Sequence, residues 1–324
     1  MNSLFKNLTS PQENLFYSRH DASDPRMGDL VLRGERNFSE EIKVGVLGVP
    51  TDEGVKRNGG RVGAKEGPDA IRTELYKRTP FVIGKEASAS SLSIFDFGDI
   101  KIGKSLEETH DKLAETVHAI VAAGIIPIVL GGGHDIAYPN FVGFSKEKKN
   151  VGVINIDTHL DYRKPSPKRN SGTSFRQMLD HHNSPLNAMN FVEVAVQSFA
   201  NAHEHYSELI ERGVTIFSLR DVREDGITKI LDLAYELATT SVDSLYISFD
   251  LDAVHGSDAP GVSAPLPTGL TTEEFLTAAL FAGKRRKTKI IDIVEMNPKY
   301  DVDCRTAKLA SLAIMYFLTG VANR

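Results

Sequence analysis

Eight short runs rich in Val, Ile and Leu recur along the chain, and segments with helical periodicity lie between them. The runs are Ile42–Val49, Leu92–Phe97, Ile125–Leu130, Val151–Ile156, Phe191–Val196, Val214–Leu219, Leu245–Phe249 and Lys289–Val294. Several are apolar at nearly every position, as parallel strands buried on both faces should be. Strand–helix alternation on this scale predicts an α/β fold with a mainly parallel sheet of eight strands, covered by helices on both sides. Ser105 with Glu108 reads as a capping box opening a helix to about Ala122, and Thr271 with Glu274 reads the same way to about Ala282. Further helices are expected over Pro68–Arg78, His203–Arg212, Ile227–Ala238 and Asp303–Leu318.

No internal stretch has the composition of a linker, so residues 1–324 read as one domain, with the polar segment 1–40 as an extension packed on it. One stretch breaks the rhythm. Arg163 to Asn190 is polar, carries Pro165, Pro167, Gly172 and Pro185, and has adjacent histidines at 181 and 182. An irregular excursion directly after a strand is expected to be a binding loop.

Charge and cysteine content narrow the function classes. Lys and Arg total 38 against 43 Asp and Glu, a net charge of -5. A mildly acidic chain has no electrostatic footprint for nucleic acid or for an anionic membrane. With Cys304 as its one cysteine, the chain can form no intrachain disulfide and no thiolate metal cluster. Met1–Lys6 shows no signal-peptide pattern, and the apolar stretch Val121–Gly133 is too short to span a bilayer. These features suit a cytoplasmic protein acting on a small molecule.

Three clusters share one position relative to the strands. Gly131-Gly132-Gly133-His134 follows the third run, Asp157-Thr158-His159-Leu160-Asp161 the fourth, and Asp250-Leu251-Asp252 the seventh. In a parallel sheet all three lie at the carboxyl edge, where ligands bind in open α/β folds. At i, i+2 and i+4 of an extended chain, Asp157, His159 and Asp161 face one side, as do Asp250 and Asp252. Four bare carboxylates packed together repel one another, whereas two divalent cations neutralise them. Paired cations about 3.5–4 Å apart generate hydroxide at neutral pH. An oxygen-rich set with two imidazoles and no sulfur suits Mn²⁺, and leaves Mg²⁺, Co²⁺, Fe²⁺ and Zn²⁺ open. Taken singly, an Asp after a strand is as readily a helix cap, and a lone His134 a satisfied buried histidine. The ordered set of three is what points to metal.

Gly132-Gly133-His134, Asp157-Thr158-His159-Leu160-Asp161, Ser248-Phe249-Asp250-Leu251-Asp252 and Glu295-Met296-Asn297-Pro298 together resemble the ureohydrolases, the family of arginases, agmatinases and formimidoylglutamases. The resemblance runs from about Ile42 to Leu318. It implies an arginase-like three-layer α/β/α fold and two Mn²⁺ per subunit. One ion would be held by His134, Asp157, Asp161 and Asp250, the other by Asp157, His159, Asp250 and Asp252, so that Asp157 and Asp250 bridge. It also implies hydrolysis of a C–N bond in a guanidino or amidine group, and leaves a homo-oligomer open.

Within the family, Asp24–Asp29, Asp52–Val55, Asn58–Ala64 and Ser171-Gly172-Thr173-Ser174-Phe175-Arg176-Gln177 look like the formimidoylglutamases. Arginases carry a proton-shuttling histidine in the last of these loops, where Phe175 aligns here. The resemblance therefore implies hydrolysis of N-formimidoyl-L-glutamate to L-glutamate and formamide, in histidine degradation. A dianionic substrate needs cationic donors, and arginine is the natural carboxylate clamp. Arg176 and Arg163 are the candidates, Arg163 equally as an ion-pair partner of a ligand carboxylate. Asn58 and Ser171 are candidate substrate contacts. Asp161 would orient the nucleophile and carry its proton to the leaving amine. Glu295 would accept hydrogen bonds from the amidine, or else cap a helix. Two alternatives stand beside this reading: a ureohydrolase acting on agmatine, guanidinobutyrate or arginine, and a metal-binding homologue without activity.

Overall fold

The computed structural model describes residues 2–84 and 86–324. Met1, where the expected extension and the N-terminal segment begin, lies outside the described residues, as does Lys85. All eight expected strands form, with ends within a few residues of the apolar runs except where noted below. They are β3 (Val44–Gly48), β4 (Ile94–Ile100), β5 (Ile126–Leu130), β6 (Val151–Ile156), β7 (Leu186–Val196), β8 (Thr215–Ser218), β9 (Leu245–Asp250) and β10 (Thr288–Val294). Two further strands, β1 (Leu8–Thr9) and β2 (Leu32–Arg33), bring the sheet to ten. Each is two residues long and comes from the polar extension, where no apolar run marks it.

The sheet order is β1-β4-β3-β5-β10-β9-β6-β7-β8, with β2 also on β4. Every pairing is parallel except β1 with β4. Successive strand residues point into two different cores, as the two-residue period requires. Val46, Ile128, Ile154, Ile247 and Ile291 belong to one core. Leu47, Val129, Val153, Tyr246 and Ile290 belong to the other. The first core is covered by the helices Gly67–Leu75, Ile227–Ala238, Thr272–Lys284 and Arg305–Ala322. The second is covered by Leu106–Ala122, Ala137–Ser145, Ser174–Leu179 and His203–Arg212. The helices Thr272–Lys284 and Arg305–Ala322 touch at Gly283 and Gly320, where a Cβ on Gly283 would sit 2.2 Å from the Phe317 carbonyl oxygen.

Thr271 and Glu274 form the expected reciprocal box. Ser105 accepts from the Glu108 N–H at 3.1 Å, but the Glu108 carboxylate returns to Lys104 N rather than to Ser105. The segment expected to be irregular holds a 3-10 turn at Ser171–Thr173, the helix Ser174–Leu179 and the first residues of β7. The helix Ala137–Ser145 escaped prediction because it is buried nearly all round and interrupted by Pro139 and Gly143. Among the described residues, no helix is long and apolar enough to cross a membrane.

Four neighbouring central strands, β5, β10, β9 and β6, decide where chemistry can occur. β5 and β6 are consecutive in sequence, yet β10 and β9 lie between them. The chain crosses from β5 to β6, runs outward through β7 and β8, and returns to lay β9 and β10 in the gap; the carboxyl ends of these central strands flank the crevice that the change of direction opens.

Candidate metal centre and cleft

His134 begins a 3-10 turn after β5, Asp157 follows β6, Asp250 ends β9 and Glu295 follows β10. The loop before His134 needs glycine at one point: a Cβ on Gly132 would lie 1.6 Å from the Thr51 carbonyl oxygen. The His134 ring is fixed from behind. Its Nε2–H donates to Ser248 Oγ at 2.9 Å, and Ser248 donates to Asp292 Oδ1 at 2.7 Å. Asp292 is itself held by Asn140 and by the Tyr246 hydroxyl. With the proton on Nε2, the Nδ1 lone pair faces forward, the arrangement second partners impose on metal-binding histidines.

In front of Nδ1 stand three carboxylate oxygens: Asp250 Oδ2 at 3.0 Å, and Asp157 Oδ2 and Asp161 Oδ2 each at 3.1 Å. None is placed to make a hydrogen bond with it, and Nδ1 is buried without a partner. Four donors converging on one point, with a buried nitrogen unsatisfied, fit a cation. Beside them, His159 Nδ1 lies 3.1 Å from Asp252 Oδ2 and 3.6 Å from Asp157 Oδ1. Potential ligand atoms of His134, Asp157, Asp161 and Asp250 lie within 4.8 Å of one another, as do those of Asp157, His159 and Asp252. Asp157 is common to both groups. Asp250, expected in both, falls in the first group alone.

The six expected ligands therefore meet, but not for the reason their spacing suggested. The segment after β6 is a turn, not an extended strand: Asp157 Oδ1 accepts from the His159 N–H at 2.7 Å, and Asp161 has φ +40°. Asp250 likewise accepts from the Asp252 N–H at 2.7 Å and opens a 3-10 turn. Glu295 is also left-handed, with φ +67°. Non-glycine residues in that region mark backbone held by its surroundings.

The electrostatics carry the same message. Burial pushes the Asp161 carboxyl up and Asp250 well up, the latter helped by the Asp252 and Asp157 charges. Burial also raises Asp252 to about 6 and Glu295 to about 7. The Asp252 carboxylate raises His159, while at His134 burial opposes protonation but is outweighed by the three facing carboxylates. Asp157 is the exception: burial would raise it, but the adjoining His134 and His159 imidazoles outweigh that and hold it low. A site left to protons would carry several of them, and divalent cations do that work with fewer particles.

Above the ligands opens a cleft of about 450 Å³. Its floor is Asp161, Asp250, Asp252, His159 and Glu295, and its walls include Asn58, Arg61, Arg163, Ser171, Asn201, His205 and Ser263. Glu295 accepts at Oε1 from the His134 N–H at 2.9 Å and at Oε2 from the Ser263 hydroxyl. Asn58 Nδ2 donates to Ser171 Oγ at 3.1 Å, joining two wall residues. Arg163 is exposed, and its guanidinium makes no hydrogen bond or ion pair among the described residues. The expected alternative for it, pairing with a ligand carboxylate, is not what the structure shows.

One expectation needs correction. Arg176, expected at the substrate, does not line the cleft: it is 6% exposed and forks onto Glu208 at 2.6 and 2.5 Å. Phe175 does not line it either. It is fully buried, stacked on Phe191 and edge-on to the His134 ring.

Sequence reasoning missed Arg61, Asn201, His205 and Ser263 in the walls, and the buried polar groups under the ligands. For the latter a signal existed. Asn155, Ser248 and Asp292 each interrupt an apolar run that should tolerate no polar side chain without a purpose. Asn155 donates to Glu193 at 2.9 Å and to Asp157 at 3.3 Å.

Comparison with known proteins agrees with this geometry. Residues 42–320 match the arginase family. The chain is 36% identical over 294 residues to a formimidoylglutamase of Macrococcus caseolyticus, covering 89% of this chain and 88% of that one. Among solved structures, it is similar to Trypanosoma cruzi formiminoglutamase with Mn²⁺ bound, at TM-score 0.87 and 34% identity, covering 93% and 99%. It is also similar to formimidoylglutamase from Bacillus subtilis, at TM-score 0.87 and 25% identity, covering 94% of each.

Proposed function

The chain belongs to the arginase family, and from that premise we propose that it is a Mn²⁺-dependent hydrolase converting N-formimidoyl-L-glutamate and water to L-glutamate and formamide. The observation that carries the substrate is the distribution of charge in the cleft. Every carboxylate lining it is at the floor, while the walls offer arginine, imidazole, amide and hydroxyl groups. A cationic arginine or agmatine would find no acidic partner for its distant amine, whereas a dianion finds Arg163.

Two Mn²⁺ fit the two ligand groups: His134, Asp157, Asp161 and Asp250 for one, and Asp157, His159 and Asp252 for the other. When bound, such a pair supplies an activated water and positive charge where the reaction builds negative charge. The remaining work falls to the chain. Asp161, on the cleft floor, orients the attacking water and delivers a proton to the amine nitrogen as its C–N bond breaks. Glu295, held by His134 N–H and Ser263, accepts hydrogen bonds from the formimidoyl nitrogens and fixes their direction. Arg163 holds a substrate carboxylate, with Asn58 and Ser171 on the same wall. The proposal extends to a single domain over 1–324, to a cytoplasmic setting and to a step in histidine degradation.

The test is product identification on Mn²⁺-loaded protein given formimidoylglutamate, arginine, agmatine and guanidinobutyrate. Formamide and glutamate from the first are expected. Urea from any of the others, with no formamide, would replace the substrate. No turnover on any of them would leave a metal-binding homologue.

A further inference from the structure

We propose that Arg176 and Glu208 form a strut that positions Asp161 and Arg163, touching neither substrate nor metal; the part concerning Arg163 rests on the function proposed above. All three guanidinium nitrogens of Arg176 are spent. Nη1 and Nη2 donate to the two oxygens of Glu208 at 2.6 and 2.5 Å, and Nε donates to the Tyr162 carbonyl oxygen at 3.0 Å. The guanidinium plane also lies over the Tyr162 ring, 3.9 Å from its centroid. The far end of Tyr162 is held too: its hydroxyl donates to Glu208 Oε1 at 3.0 Å and accepts from Arg212 Nη1 at 2.7 Å.

Carbonyl, ring and hydroxyl of one residue are thus gripped by side chains from the helices Ser174–Leu179 and His203–Arg212. That residue sits between Asp161, with its left-handed φ, and Arg163. A backbone at φ +40° reverts toward ordinary values unless something outside it holds it. Gripping Tyr162 fixes the direction in which the chain leaves Asp161, and so where the Asp161 carboxylate and the Arg163 guanidinium point. A forked, stacked arginine on a carboxylate is the rigid form of this contact, and a lysine cannot reproduce it. Glu208 also ties in a further wall residue, because His205 on the same helix lines the cleft, its ring 6.3 Å from the Tyr162 ring.

Four variants separate a strut from a clamp: Arg176→Met, Arg176→Lys, Glu208→Gln and the double variant Arg176→Met/Glu208→Gln. Mn²⁺ binding is followed by calorimetry and by metal content after dialysis, and kcat and KM on formimidoylglutamate beside them. For a strut, Arg176→Met and Glu208→Gln each weaken the binding of one Mn²⁺ and lower kcat, by about tenfold, the lower end for residues that support ligands. The double variant is no worse than the poorer single one, and Arg176→Lys fails to restore either quantity. If Arg176→Met raises KM alone and Glu208→Gln is silent, Arg176 is a substrate clamp and the strut is wrong. Wild-type metal binding in Glu208→Gln also overturns it. Should Arg176→Met not fold, Glu208→Gln and Tyr162→Phe decide, since both keep the packing. The metal readout needs no substrate, so a wrong substrate and a wrong strut give different results.

Discussion

The floor and the walls of the cleft are built on opposite principles. Floor groups follow the ends of central strands, are buried at Asp250, Asp252 and Glu295 and half-buried at His159 and Asp161, and rest on further buried polar groups such as Ser248, Asp292 and Asn155. Wall groups come mostly from loops and turns, with His205 on a helix; most are half-buried, Ser171 is buried, and Arg163 is exposed with no side-chain partner among the described residues. Reaction chemistry needs positions held to a fraction of an ångström, which rigid strand ends supply. Selectivity among substrates needs only a change of charge or shape at the rim, which loops accommodate without disturbing the core. The two arginines state the contrast: Arg176, buried and forked, belongs to the scaffold, whereas Arg163, thirteen positions earlier, faces the cleft.

That contrast can be broken or sharpened at four points. Asp157→Ala removes the ligand common to both groups. It should lose both Mn²⁺ ions and reduce kcat/KM by more than about 100-fold, beyond what a supporting residue costs. Retained metal in that variant would undo the floor as described. Ser248→Ala leaves His134 Nε2 without its partner and should weaken Mn²⁺ binding by about 10–100-fold while leaving the ligands in place. Calorimetric titration checks it, and unchanged affinity would mean that the bracing is incidental.

The third point is pH. Asp252 and Glu295 are raised to about 6 and about 7, and His159 is raised as well. At these groups the cation-free folded chain holds more protons than the unfolded chain, from about pH 4 to 7 at the two carboxyls and from about pH 6.5 upward at His159. The stability these groups contribute therefore falls as pH rises through their windows; among the ligands, Asp157, held low, opposes the trend. Mn²⁺ must displace the extra protons, so its affinity should climb about tenfold per pH unit for each proton released. Titrations in buffers of different ionisation heat count those protons, and a count of zero would remove the argument. The smallest effect belongs to the wall. Arg163→Ala should raise KM for formimidoylglutamate about fivefold, the upper range for an exposed ion pair, with Mn²⁺ affinity as in wild type.

Much of the floor could be read from the sequence, because its residues fall in short clusters directly after strands that announce themselves. Val151–Ile156 needed only its apolar run, and Asp157, His159 and Asp161 only their order after it. The reason first given for their convergence was still mistaken, since local hydrogen bonds turn the chain where an extended segment was expected. Arg176 could not be placed, because its fate depends on Glu208, 32 residues away, on a helix whose packing leaves no local mark. Asn201 and Ser263 lie between the periodic segments, and His205 sits on a helix that was expected but carries no local sign of facing a cleft; only the folded chain brings the three together.

The two margins of the sheet end differently. β1 and β2 from the N-terminal segment finish the side of β4. The opposite side stops at β8, four residues long and followed at once by the helix Leu219–Asp225. A border that short presents another chain with only about two main-chain hydrogen bonds. Strand-by-strand growth into larger sheets, the commonest misassembly of β-rich surfaces, is closed off at one end and starved at the other.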